Sequence, residues 1–151
     1  MEGLAPLHQH EVPELRDLLG RADLTLSGLD APEVRVWLLR DGTGRLCGST
    51  GYEQSADGQH VLVRSVAVHP ERRGEGLGLR LARFAVDTAA AGGAAHAWLF
   101  SRRSGPFWQR LGFRPADRDA LAAHLADTHQ VRLFRSTGQL EREVAWSRPL
   151  G

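Results

Sequence analysis

Residues 61–81 read VLVRSVAVHPERRGEGLGLRL. An apolar, β-branched run passes through two adjacent arginines into glycines at 74, 76 and 78, and then into a helical pattern. Glycines add nothing to a core, and at a helix start each costs roughly 1 kcal/mol against alanine. Such a run is worth that cost where backbone turns sharply or lies against something bulky. Strand, glycine loop and helix in this order make an anion-binding arrangement. The first N–H groups of a helix are unpaired and carry the positive end of its dipole, and glycine lets a phosphate approach them. A dinucleotide loop would read G-x-G-x-x-G, but the spacing from Gly74 or Gly76 fails at Leu79 or Leu81. A Walker loop needs a lysine, and the chain has none.

Upstream of this stretch, EVPELRDLLGRA (11–22) places Val12, Leu15, Leu18 and Leu19 on one face of an amphipathic helix. EVRVWLLRD (33–41), a DGTG turn (41–44), RLCGSTGYEQ (45–54), a SADG turn (55–58) and QHVLVRSVAV (59–68) predict three strands in an antiparallel meander. Downstream, Leu77, Leu81, Phe84, Ala85 and Thr88 share a helix face opposite Arg80, Arg83 and Asp87, and the helix ends at Gly92-Gly93. AHAWLF (95–100) reads as a buried strand and PFWQRLG (106–112) as a short helix. Residues 118–130 read as one helix, and LEREVAWSRPL (140–150) alternates like a closing strand. A meander followed by strand–helix–strand predicts a mixed α+β sheet. With neither a repeat nor a linker, residues 1–151 read as a single domain.

The 151 residues are 42% apolar and 25% charged, an ordinary globular mixture, and the net charge of +1 lacks the basic excess of a nucleic-acid binder. No apolar run approaches the roughly 20 residues that span a bilayer, and the first residues lack a signal peptide's apolar core. A cytoplasmic protein with neither nucleic acid nor membrane as partner is expected. The lone Cys47 excludes an internal disulfide framework and reads as a small core residue. Lys, Asn and Ile are absent and all 19 basic residues are Arg, which points to a GC-rich, bacterial genome. Without lysine there is no Schiff-base chemistry from this chain.

The glycine segment resembles the acetyl-CoA site of the GNAT superfamily of N-acetyltransferases, whose motif is Gln/Arg-x-x-Gly-x-Gly/Ala. Arg73, Gly76 and Gly78 occupy those positions, after a strand ending Val66-Ala67-Val68 and a His69-Pro70 step. PFWQRLGF (106–113) resembles the family's F-Y-x-x-x-G-F helix and following strand, at the expected separation. The resemblance implies a GNAT-like mixed, mostly antiparallel sheet flanked by helices, with splayed central strands that bind acetyl-CoA. It implies that backbone N–H groups among Arg72, Arg73, Gly74, Glu75, Gly76, Leu77 and Gly78 cradle the pyrophosphate. Val66, Ala67 and Val68 would line the pantetheine arm, with Phe107 and Trp108 from the second motif beside it. A weaker likeness, carried by LVRSVAV, GYE and ALAAHLADTHQVRLF, is to the small N-acetyltransferases of bacterial arsenic-resistance operons. Those carry a cysteine near Arg135 and threonines where this chain has Ser101-Arg102-Arg103, so the likeness favours a small-molecule amine without naming it.

Acetyl transfer needs a base for the amine and a route for protonating the leaving thiolate. Glu53, at a strand end, is the candidate base and matches a Glu of the similar acetyltransferases. Arg64, inside an apolar strand, is expected to pair with Glu53 or with an anionic substrate group, with Ser65 beside it as a second substrate contact. The family's frequent acid is a Tyr, and Trp108 stands there. An indole N–H donates a hydrogen bond but is no practical acid. Ser101, or Ser104, would then pass a proton through water, or the thiolate would leave unaided. The histidines, including His60, His69, His124 and His129, are scattered, and no metal is expected. Val144 and Trp146, in the late strand, suggest a homodimer. Two other functions stand beside the small-molecule enzyme: a catalytically silent CoA-binding regulator, and a protein or peptide N-acetyltransferase.

Overall fold

Residues 33–68 do form a meander, because the two-residue alternation and the DGTG and SADG turns agree on register. The computed structural model describes residues 3–151. In chain order the elements are β1 (Leu4–Pro6), α1 (Val12–Arg21), β2 (Val34–Arg40), β3 (Leu46–Gln54), β4 (His60–Val68) and α2 (Leu77–Ala91). There follow β5 (His96–Phe100), α3 (Gly105–Gln109), β6 (Arg114–Ala116), α4 (Arg118–His124), α5 (His129–Thr137) and β7 (Ala145–Pro149). They build one seven-stranded sheet in the order β1-β2-β3-β4-β5-β7-β6. Among the described residues only the β4–β5 pair is parallel. The fold is α+β.

Alternation along the strands sorts the core onto two faces. Val61 and Val63 pack with Ala82, Ala85, Val86 and Ala89 of α2, together with Trp108 and Trp146. Leu62, between them, packs with Trp98 and with Leu121 and Leu125 around α4. Val36 and Leu38 of β2 meet Leu15, Leu18 and Leu19 of α1, the face that the helical spacing predicts.

Two local features open the middle of the sheet. The parallel pairing of β4 with β5 covers only His60–Leu62 against His96–Trp98. Further along, the β3–β4 register shifts between Ser49 and Gly51. Ser65, across from that shift, has a left-handed backbone (φ 63°). This is a β-bulge, which bends a strand and increases its twist. Ser49 Oγ donates to the Ser65 carbonyl at 2.6 Å and holds the bulge. From Val63 onward the edge of β4 toward β5 therefore has no strand partner.

Three expectations need correction. Residues 118–130 are not one helix but α4, a turn, and α5. The break gives α5 its own N-terminus, where the Thr128 side chain accepts from Val131 N–H and Glu53 accepts from two further N–H groups. The closing strand is confined to Ala145–Pro149, with a 3₁₀ turn at Gln139–Arg142 before it. Trp146 is buried, and its indole N–H donates to the Ser101 carbonyl at 2.9 Å. Of the pair that suggested a dimer, only Val144 is exposed.

At the far end of the β4–β5 pairing, three histidines stack. The ring of His60 lies 4.1 Å from that of His124 and 5.5 Å from that of His96, and Trp98 Nε1 donates to His60 Nδ1 at 3.0 Å. Burial, then the charge of a protonated His124, hold His60 below its ordinary value, with Asp57 opposing. The unfolded chain therefore takes up this proton near pH 6.5 while the folded chain resists it. The stability linked to His60 is intact above about pH 6.5 and is lost as the pH falls below it. We expect the urea midpoint to fall between pH 7 and pH 5. His60→Gln, whose amide oxygen can still accept from Trp98, should remove part of that fall; an unchanged profile would place the acid-sensitive groups elsewhere.

Candidate active site

The glycine loop is shaped by local chemistry. Pro70–Arg72 form one 3₁₀ turn, with His69 Nδ1 accepting from Glu71 N–H at 3.2 Å. The Arg72 guanidinium folds back onto Glu75 (3.0–3.1 Å) and reaches Cys47 Sγ at 3.0 Å. Its hydrogen bonds to Glu75 push its pKa above the ordinary value. Gly74 (φ 86°) and Gly76 (φ 77°) are left-handed, a backbone that side chains with a Cβ rarely adopt. Gly76 caps the N-terminus of α2. Their φ values thus give both a conformational role. Gly78 is the one that borders a cavity: a Cβ there would stand 3.6 Å from both Phe107 and Val68.

Among the described residues, no backbone N–H from Arg73 to Leu79 has a hydrogen-bond partner. Arg73 is exposed and enters no ion pair among the described residues. A run of free N–H groups at a helix start with a loose arginine beside it suits a multiply charged phosphate.

From this loop a cavity of about 270 Å³ runs between the splayed strands. Its walls include Val66, Ala67 and Val68 from β4, Leu99 to Ser101 at the end of β5, and Phe107 and Trp108 from α3. An extended chain can lie along the unpartnered β4 edge as an added strand would. Arg64, Ser65, Ser104, Thr25 and Gln130 complete the inner end. The Trp108 indole N–H makes no hydrogen bond among the described residues. Ser101 Oγ accepts from Ser104 N–H at 3.1 Å, which leaves its own proton free to donate.

Glu53 does not reach this cavity, contrary to its expected place as base. Its side chain is 1% exposed, and both oxygens are engaged. Oε2 accepts from Arg64 Nη1 (2.9 Å) and Gln130 N–H (3.1 Å), and Oε1 from His129 N–H (2.6 Å). The carboxylate thus neutralises a buried guanidinium and caps α5 at once. Arg64 also donates to the Thr25 carbonyl at 3.2 Å and to Ser65 Oγ at 3.4 Å. Burial pulls the Arg64 pKa below its ordinary value and Glu53 opposes that pull, but a guanidinium stays charged in either case. The expected Arg64–Glu53 pairing is present; no Arg64 nitrogen remains unshared, since Nε, Nη1 and Nη2 each have a partner.

Thr25 and Gln130 had no motif to announce them. One sits in the loop after α1 and the other in the first turn of α5, and the Glu53–Arg64 contacts, with the Gln130 Nε2–Thr25 Oγ1 hydrogen bond, bring the two segments together. Among the described residues, no group of three or more His, Cys, Asp or Glu is placed to hold a metal ion.

Comparison with known proteins agrees with this geometry. Residues 4–113 match the model of the acetyltransferase (GNAT) family. Streptothricin acetyltransferase from Streptomyces lavendulae is 36% identical over 72 residues, which are 48% of this chain and 38% of that enzyme. The N-acetylglutamate synthase of Neisseria gonorrhoeae, solved with coenzyme A and N-acetyl-glutamate, superposes on 98% of this chain and 35% of its own (TM-score 0.75, 19% identity). A GNAT-family acetyltransferase from Staphylococcus aureus superposes over 98% of both chains (TM-score 0.76, 13% identity). This chain therefore spans little more than a third of the first two relatives. By its matched residues and its fold, the chain belongs to the acetyltransferase (GNAT) family.

Proposed function

We propose that this protein is an acetyl-CoA-dependent N-acetyltransferase that acetylates a primary amine of a small molecule. The observation that carries this reading is the run of free N–H groups at Arg73–Leu79, at the mouth of a cleft bounded by an open strand edge. The loop suits the pyrophosphate, and the β4 edge at Val66–Val68 suits the amide-bearing arm. Acetyl-CoA supplies an activated thioester. The likeness to a streptothricin acetyltransferase and to an enzyme solved with N-acetyl-glutamate supports an amine of antibiotic or amino-acid type.

The residues divide the work as follows. The bulge at Ser65 turns β4 at the inner end of the cavity, where a thioester would be held. Among the described residues the inner cleft is lined by neither carboxylate nor histidine nor tyrosine, so the amine would lose its proton to water, and the rate should rise with pH as free amine accumulates. Ser101 Oγ–H, free to donate, meets the leaving thiolate, whose ordinary pKa near 8.5 makes it a modest demand. Glu53 and Arg64 position this machinery without touching the reacting atoms.

A thiol-release assay with acetyl-CoA against streptothricin, the L-amino acids and butylamine tests the reading. Turnover of at least one amine is expected, and acetyl-CoA bound without turnover of any would leave a silent binding module instead. For the cofactor site, acetyl-CoA at a hundredfold excess over Kd should add about 2.7 kcal/mol, or roughly 5–10 °C in Tm for a chain of this size. Gly78→Val should keep the fold, since its helical backbone suits any residue, yet lose most of that shift by filling the cleft; a full shift would refute the placement. Ser101→Ala should lower kcat about tenfold, the value of one hydrogen bond to a charged group, with acetyl-CoA affinity unchanged. A native kcat would mean that the thiolate leaves without Ser101.

A further inference from the structure

The cleft does not end at its inner wall. A second chamber of about 200 Å³ adjoins it, and the two share Leu24, Thr25, Phe100, Ser101, Ser104 and Gln130. The walls of the outer chamber include no residue of the glycine loop and carry Asp23, Arg102, Arg103 and Glu143, the last paired with Arg102 at 3.3 Å.

At the junction stands Gln130, only 8% exposed. Its Nε2 donates to Thr25 Oγ1 at 2.8 Å, and its backbone N–H is taken by Glu53. Its Oε1 is buried and has no partner, alone among the buried side-chain nitrogens and oxygens of the described residues. An amide oxygen in that condition costs roughly 1–3 kcal/mol, and native proteins retain such a group chiefly where something else completes it. The terminal amide torsion of glutamine is broad and soft, so Oε1 can turn to a donor in the chamber without a new rotamer elsewhere.

We infer that Gln130 Oε1 is the hydrogen-bond acceptor that orients the acceptor amine, and that the outer chamber is the entry for a primary amine. The inference rests on the acetyltransferase reading above and names the residue that serves the second substrate. The amine holds two N–H bonds as its lone pair forms the new N–C bond and the thioester C–S bond breaks. One N–H points to Gln130. The other proton leaves to water, and the thiolate is met by Ser101 or by solvent. Gln130 is neutral and takes no proton itself: it fixes the direction of the lone pair. The Glu53-capped first turn of α5 holds the backbone, and the amide gives up its Thr25 contact as Oε1 turns to the amine.

The test compares native protein, Gln130→Met and Gln130→Glu with whichever amines of the panel above the native enzyme acetylates. Gln130→Met keeps length and volume but loses the oxygen. It should lower kcat/KM for the amine ten- to a hundredfold, the value of a hydrogen bond to a group gaining positive charge. Its acetyl-CoA affinity and Tm should stay native. Gln130→Glu keeps an oxygen toward the chamber, and the Thr25 hydroxyl can donate to the other; it should recover most of the loss. Met within threefold of native, Glu as impaired as Met, or a Met loss that follows a fallen Tm would each overturn the inference alone. No turnover by the native protein would overturn the functional reading, and this inference with it.

Discussion

One buried carboxylate ties four parts of the molecule together. Glu53, near the end of β3, faces Arg64 on β4 and the first N–H groups of α5, while Arg64 reaches the backbone at Thr25 in the loop after α1. A guanidinium and a carboxylate taken out of water each carry a penalty of several kcal/mol, and the pair is tolerable only when their hydrogen-bonding capacity is filled. Here it is filled by backbone from two distant segments. That requirement explains why the chain breaks between α4 and α5: an unbroken helix would offer no free N–H groups to Glu53.

The cleft follows from the same region. The bulge at Ser65 lies one residue beyond Arg64, and the β4–β5 pairing stops just before it. The pair fixes the inner wall, the bulge bends the strand away, and Gly78, in the first turn of α2, borders the opening. Structural and chemical roles thus sit on adjacent residues of one strand: Val63 in the core, Arg64 in the ion pair, Ser65 and Val66 at the cavity.

Much of this was legible before any coordinates. The meander and α2 announced themselves by period, and the glycine loop by its incompatibility with an ordinary helix start. The GNAT resemblance came from Arg73, Gly76, Gly78 and the PFWQRLGF segment. What stayed hidden depends on tertiary contact. Glu53 looked like an exposed strand-end carboxylate, and nothing local says that a helix N-terminus 76 residues later closes over it. The break near Thr128 has a Thr as N-cap, but helical spacing continues through it and masked the signal. Trp146 alternated like a surface residue of a closing strand, yet the sheet order puts β7 beside β5, where α3 covers it. Gln130 could not be singled out at all, since a glutamine on a helix is ordinarily solvated.

The role of Glu53 decides between a site built around a carboxylate base and one built around a buried hub. The direct measurement is Glu53→Gln, followed by thermal unfolding and by steady-state kinetics well below the transition. A hub predicts that the unpaired Arg64 charge costs about 3–5 kcal/mol, a Tm lower by roughly ten degrees. The remaining kinetic loss should fall on the amine's KM, through a displaced Gln130, with kcat within about tenfold. A native Tm together with a kcat reduced by a hundredfold or more, as loss of a general base requires, would contradict this account.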